Sequence, residues 1–286
     1  MSQKVIISTD STADISKELI EKFGVSVFPM TVVKDGVALA DGVDIFPEDI
    51  FDYTRQTGKL MKTSAPNLAE CESYINSVCG KDDFMIHFDI SGEMSSTYAN
   101  MRAAAMDYDN VFVVDSRNLS TGIGLMVLKA CELRDKGLSA QEIFDEIEAT
   151  KSKVDASFVL DRLDFLHKGG RCSSVAALGA NLLKLKPCIE VKNGKMDVGK
   201  KYRGKYLDAL LNYVKDRLAD ADDIDTSRMF VTHTCEDLSI VDAVVKAVND
   251  TLKFDEVLIT TAGCTVSVHC GPNTLGVLFI RKSDVK

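Results

Sequence analysis

The sequence has no CxxC pair, no long basic run, no apolar segment of membrane-spanning length and no internal repeat of fixed period. Each absence removes a class of function. A nucleic-acid surface needs clustered Lys and Arg; here 43 acidic residues outnumber 34 basic ones, for a net charge of −9. The eight cysteines (Cys71, Cys79, Cys131, Cys172, Cys188, Cys235, Cys264, Cys270) are scattered. The four histidines, His87, His167, His233 and His269, show no ligand spacing with them, so zinc is not expected. Unpaired cysteines, and an N-terminal MSQKVIIS too poor in apolar residues for a signal peptide, fit a cytoplasmic protein with reduced thiols and no transmembrane segment. With 18 Gly and 5 Pro, collagen-like and linker-like chains are excluded. The longest acidic cluster, DADDID at Asp220–Asp225, lacks the Gly and closing Glu of a calcium loop and reads as a solvated turn.

What is present is an ordinary globular chain of 286 residues, 45% hydrophobic and 27% charged, long enough for two modest domains or one large one. Apolar runs KVIIS (4–8), DFMIHF and NVFVVDS read as strands. They alternate with helical stripes, one capped by Asp14 and ending at Gly24, one opening at Pro47, others near 68–78, 95–106, 119–136 and 140–152. Asp35-Gly36 signals a hairpin, and KTSAPN reads as a loop. This alternation predicts a parallel α/β sheet. From about residue 155 the texture changes. An Asn193-Gly194 hairpin follows LKPCIEV, and RMFVTHT, EVLITTA, VSVHC and GVLFIRK read as strands among helices near 175–183, 205–218 and 237–252. The expected architecture is an N-terminal α/β domain over 1–155 and a C-terminal α+β domain with a mixed sheet over 156–286.

Several strands end in hydroxyl-rich stretches: STDST at Ser8–Thr12, DISGEMSST at Asp89–Thr97 and DSRNLSTGIG at Asp115–Gly124, with Thr63 and Ser64 nearby in KTSAP. In open α/β sheets, ligands bind outside the carboxyl ends of strands, where helix N-termini favour an anion. Ser, Thr and Asp are also the ordinary helix caps. A nucleophilic role for Ser95 would need a base, and His269, in the Gly-rich TVSVHCGPNTLG, is the available partner; no GxSxG elbow surrounds Ser95. His87 and His233 lie within apolar strands and read as structural. KGGR at Lys168–Arg171 is a tight turn that presents a cation and has no phosphate-loop spacing.

Taken in order, STDSTADI, KTSAP, SGEMSSTYANMRAA, VVDSRNLSTGIG, LDFLHKGGR, LKPCIEV with its NGK hairpin, and VHCGPNTLG resemble the DegV family over essentially the whole chain. The resemblance implies two α/β domains with a long-chain fatty acid between them, its carboxylate among hydroxyl groups and its tail in an apolar tunnel. It also implies a non-catalytic carrier that presents the acyl group to a separate ATP-binding fatty acid kinase subunit, which forms an acyl phosphate for phospholipid synthesis, and it implies no cofactor besides the bound acid. Carried over by motif, the carboxylate-binding serine falls on Ser95, its companion loop on Thr63 and Ser64, the histidine on His269, and the kinase-engaging arginine on Arg171. The family's LSGT is MSST here, so Ser96 replaces a Gly and is expected to narrow the head-group pocket; GPG is GPN, so Asn273 replaces another. Met30, Phe28, Ile90 and Met94, with the helix at 175–183, are candidates to line the tail. The competing reading is a serine acyl hydrolase or acyltransferase using Ser95 and His269.

Overall fold

The computed structural model describes residues 4–176 and 185–285. The chain opens with β1 (Val5–Asp10), α1 (Lys17–Phe23) and β2 (Ser26–Phe28). A hairpin of β3 (Thr31–Lys34) and β4 (Val37–Ala40) precedes α2 (Pro47–Thr57), β5 (Lys62–Ser64) and α3 (Leu68–Val78). Then come β6 (Phe84–Asp89), α4 (Thr97–Ala104), β7 (Val111–Asp115), α5 (Thr121–Asp135) and α6 (Ala140–Thr150). The rest runs β8 (Val154–Leu160), α7 (Asp164–Gly169), α8 (Ser173–Ala176), β9 (Leu185–Lys192), β10 (Lys195–Arg203), α9 (Tyr206–Arg217), β11 (Ile224–His233), α10 (Leu238–Thr251), β12 (Glu256–Thr261), α11 (Cys264–Cys270) and β13 (Thr274–Arg281).

The fold is α/β, as the alternation predicts. One sheet, in the order β2-β1-β6-β7, is parallel throughout; its apolar strands are covered on both faces, as parallel sheets require. A six-stranded mixed sheet runs β10-β9-β8-β13-β11-β12, with β11 and β12 its one parallel pair among the described residues. A three-stranded antiparallel sheet, β4-β3-β5, stands beside them. Helix α5 is buried on every side from Thr121 to Leu128 and packs on strands of both large sheets. A helix apolar all round belongs in an interior. Here it joins Ile7 and Ile86 of the parallel sheet to Phe158, Phe230 and Leu278 of the mixed one in a single core.

Four sequence expectations are corrected. Asp14 does not cap α1; Ser16 does, accepting from the Leu19 N–H, while Asp14 turns into the interior in the left-handed region. KTSAPN is not all loop: Lys62–Ser64 pair with β3, which leaves the loop to 65–67. Ser95 lies outside the helix expected to begin at it, because α4 starts at Thr97 behind Ser96. VSVHC is helical, although the alternation of Val266 and Val268 with polar neighbours predicts a strand. The cause is capping from the other half of the chain: Asp41 accepts from the Cys264 and Thr265 N–H groups (2.9 and 3.0 Å), and Asp14 accepts from Gly263 N–H at 2.8 Å. The helix expected over 175–183 lies mostly outside the described residues. DADDID forms a 3-10 turn whose Asp223 is tied to Arg281 and the Ser283 N–H, and no metal-holding cluster occurs among the described residues. All eight cysteines are free thiols.

Candidate functional site

A cavity of about 700 Å³ opens where the three sheets meet. Its size is that of a small-molecule site. One end is polar. Thr63 and Ser64 come from β5, Ser95 from the loop between β6 and α4, His269 from α11, and Arg171 from the turn after α7; all five border this one cavity. The remaining wall is largely apolar, with Met30, Ile90, Met94, Leu119, Met196 and Val266. Of the expected tail contacts, Phe28 is not among the lining residues; its ring stacks on Tyr74 at 4.3 Å.

The loop that carries Ser95 is built by carboxylates at strand ends. Asp10, ending β1, accepts from Ile90 N–H at 2.8 Å; Asp115, ending β7, accepts from Gly92 N–H at 3.1 Å. Ser91 O then accepts from the Met94 and Ser95 N–H groups, which turns the chain so that Ser95 precedes α4. Ser95 Oγ accepts from Thr97 N–H at 3.2 Å and pairs with Thr97 Oγ1 at 2.7 Å. When Thr97 donates both bonds, the Ser95 proton is left for a ligand.

In the same lining, Thr63 Oγ1 and His269 Nε2 lie 2.9 Å apart. Burial, helped by the Arg171 charge, pushes the His269 pKa down to about 4, so the ring is neutral at physiological pH. Its Nδ1 is buried and has no hydrogen-bond partner among the described residues. The consistent tautomer carries the proton on Nε2, donates it to Thr63 and frees the Thr63 hydroxyl to donate in turn. His269 is thus paired with Thr63, not Ser95, and no acidic group among the described residues orients it, so the Ser–His arrangement of a hydrolase is not assembled.

KGGR owes its glycines to this site. A Cβ on Gly169 would come within 2.5 Å of His269 Nδ1, and Gly170 closes α7 at φ +69°. Arg171 then donates from Nη1 to Gly169 O at 2.7 Å, with its exposed guanidinium at the cavity rim. The motif directs Arg171 outward; the geometry gives it a face on the cavity as well. Of the hydroxyl-rich ends, most residues knit rather than bind. Ser11 joins Asp41 to the Met30 N–H, Ser120 donates to Asp14, and Thr121 pairs with Thr232. Thr12 borders the cavity. Met196, Thr265 and Val266 carry no signal of a site in the sequence, because they come from a hairpin and from a helix with strand-like patterning.

Both departures from the family pattern have a geometric answer. Ser96 has φ −79°, which any residue adopts, but its exposed side chain borders the cavity. Asn273 has φ +53°, the left-handed region where Gly is favoured and Asn is tolerated.

A model of the DegV family of uncharacterised proteins matches residues 4–282. A DegV domain-containing protein of Clostridium acetobutylicum is 33% identical over 293 residues, covering 98% of this chain and 99% of that one. A solved DegV family protein from Thermus thermophilus, described by its fatty acid binding, superposes with a TM-score of 0.90 at 28% identity, covering 98% of this chain and all of that one. A stearic-acid-binding protein from Eubacterium ventriosum superposes with a TM-score of 0.85 at 27% identity, covering 96% and 98%.

Proposed function

Because the chain belongs to the DegV family, we propose that it binds a long-chain fatty acid in the 700 Å³ cavity, between a first unit over 1–155 and a second over 156–286. The carboxylate rests against Thr63, Ser64, Ser95 and His269, and the tail runs along Met30, Ile90, Met94 and Val266. The observation that carries this is the cavity's mixed lining, in which the hydroxyls of Thr63, Ser64 and Ser95 and the neutral imidazole of His269 border one space with Met30, Ile90, Met94, Leu119, Met196 and Val266. The solved relatives described as fatty-acid-binding support it.

The energetics agree. Burial is worth about 0.8 kcal/mol per CH₂, so about fifteen methylenes offer on the order of 12 kcal/mol before the costs of binding. The head-group donors need only orient the acid, at about 1.5–3 kcal/mol per bond to a charged group. No described helix is long and apolar enough to cross a membrane, and the proposed setting is the cytoplasm. No metal or cofactor is proposed.

The protein acts as a carrier without its own catalytic site, presenting the acid to a separate ATP-dependent kinase subunit. Hydroxyl donors leave the carboxylate oxygens nucleophilic enough to attack a γ-phosphate. Arg171, at the rim, engages that subunit. The test combines the protein, palmitate, ATP and the kinase subunit of a DegV system. Acyl phosphate is expected only when all are present, and Arg171→Ala is expected to abolish it while palmitate still binds. Loss of palmitate binding in that variant would place Arg171 in the head-group site instead. Acyl hydrolysis, or labelling of Ser95 by a fluorophosphonate, would replace the carrier reading by the hydrolase one.

A further inference from the structure

A second, small cavity of about 20 Å³ lies under the first and shares Leu119, Val266 and Cys270 with it. That volume holds about one water. Its surroundings include several polar side chains, and nearly all have protein partners. Ser120 donates to Asp14 and Thr232 pairs with Thr121 and Thr260. Thr234 donates to Gly271 O, and Thr274 to Cys270 O. His233 differs. It ends β11, inside the mixed sheet, and is 6% exposed. Its Nδ1 accepts from Cys235 N–H at 3.1 Å. That bond fixes the proton on Nε2, and Nε2 has no acceptor among the described residues. Burial lowers the pKa of this ring, so it stays neutral, with a single N–H.

We propose that His233 is a mid-chain recognition residue: its Nε2–H, in the small cavity that shares a wall with the acyl cavity, selects fatty acids bearing an oxygen along the chain over saturated chains. This rests on the fatty-acid reading above. The head group is held at Thr63 and His269, and Val266, on the same helix α11, borders both cavities, so a chain running inward from the head group passes the shared wall. A saturated chain lying against the small cavity covers the Nε2–H without pairing it. A hydroxyl or oxo group replaces the lost bond.

The test titrates delipidated protein with stearic, 10-hydroxystearic and 12-hydroxystearic acid. At least one hydroxy acid is expected to bind about ten-fold more tightly than stearic acid, the worth of one buried hydrogen bond. His233→Leu is expected to erase that preference while binding stearic acid at least as well as the parent. His233→Gln, which keeps a donor, is expected to retain part of it and serves if the Leu variant does not fold. Equal or weaker binding of both hydroxy acids by the parent would overturn the inference, as would a preference that survives His233→Leu. Failure of all three acids to bind would instead remove the fatty-acid reading on which it stands.

Discussion

At the scale of single residues, the site is made of weak donors placed well. With His269 neutral and its proton on Nε2, the Thr63 hydroxyl is free to donate; Ser95 Oγ accepts from Thr97 N–H and shares a hydrogen bond with Thr97 Oγ1. Removing one such donor costs a bond to a charged group, about 1.5–3 kcal/mol. Ser95→Ala is therefore expected to weaken palmitate binding about ten-fold or more, with a modest fall in melting temperature because Thr97 N–H loses its acceptor, measured by calorimetric titration and melting. Unchanged affinity would remove Ser95 from the head-group site. Much of this constellation was legible because its residue types stand in ordered motifs. What the motifs did not contain was the role of each partner. The Gly169 contact with His269 joins residues far apart in the chain, and the left-handed turn at Asn273 is a backbone fact that no side chain announces.

At the scale of elements, α11 is the instructive case. TVSVHC alternates like a strand, and local propensity favours that choice. Two aspartates more than 200 positions upstream override it by accepting the helix's first N–H groups. Asp41→Ala leaves the Cys264 and Thr265 N–H groups without acceptors, at a cost of about 1–3 kcal/mol. A lower melting temperature and weaker palmitate binding are expected together, since α11 carries Thr265, Val266 and His269 to the cavity. A variant that melts early yet binds normally would show that the cap supports the fold alone. Strands and helices with clean local signals were read correctly: the Pro47 helix start, the Asp35-Gly36 and Asn193-Gly194 hairpins, and the apolar strands β1, β6 and β7.

At the scale of the whole molecule, the two large sheets share one core through α5, and polar contacts reinforce the junction. At the Asn193-Gly194 tip, Ser91 Oγ donates to Gly194 O at 2.7 Å and Arg117 donates to Asn193 O. Alternation of elements made the sheet types legible, but not this junction, because its contacts join residues far apart in sequence. The junction also makes stability depend on pH. Burial raises Asp10 to about 7 and Asp14 to about 8. A carboxyl with a raised folded pKa binds its proton more readily in the folded state. Its contribution is therefore complete below the unfolded value near 4 and is lost as pH rises toward 8. His269 acts oppositely, losing its contribution as pH falls from about 6.5 toward 4. Of these three groups, only the aspartates change between about pH 6.5 and 8.5, so the urea midpoint is expected to fall over that range. In Asp14→Asn the fall is expected to be smaller; an equally steep fall would mean that Asp14 ionises in the folded chain as it does in water.

Occupancy of the 700 Å³ cavity by a fatty acid underlies every role assigned above. Mass spectrometry of an organic extract of the purified protein tests it most directly. One long-chain fatty acid per chain is expected, at near-stoichiometric yield, with its length and unsaturation reporting the shape of the tunnel. A protein that yields none, and takes up none after incubation with a panel of fatty acids, would contradict it.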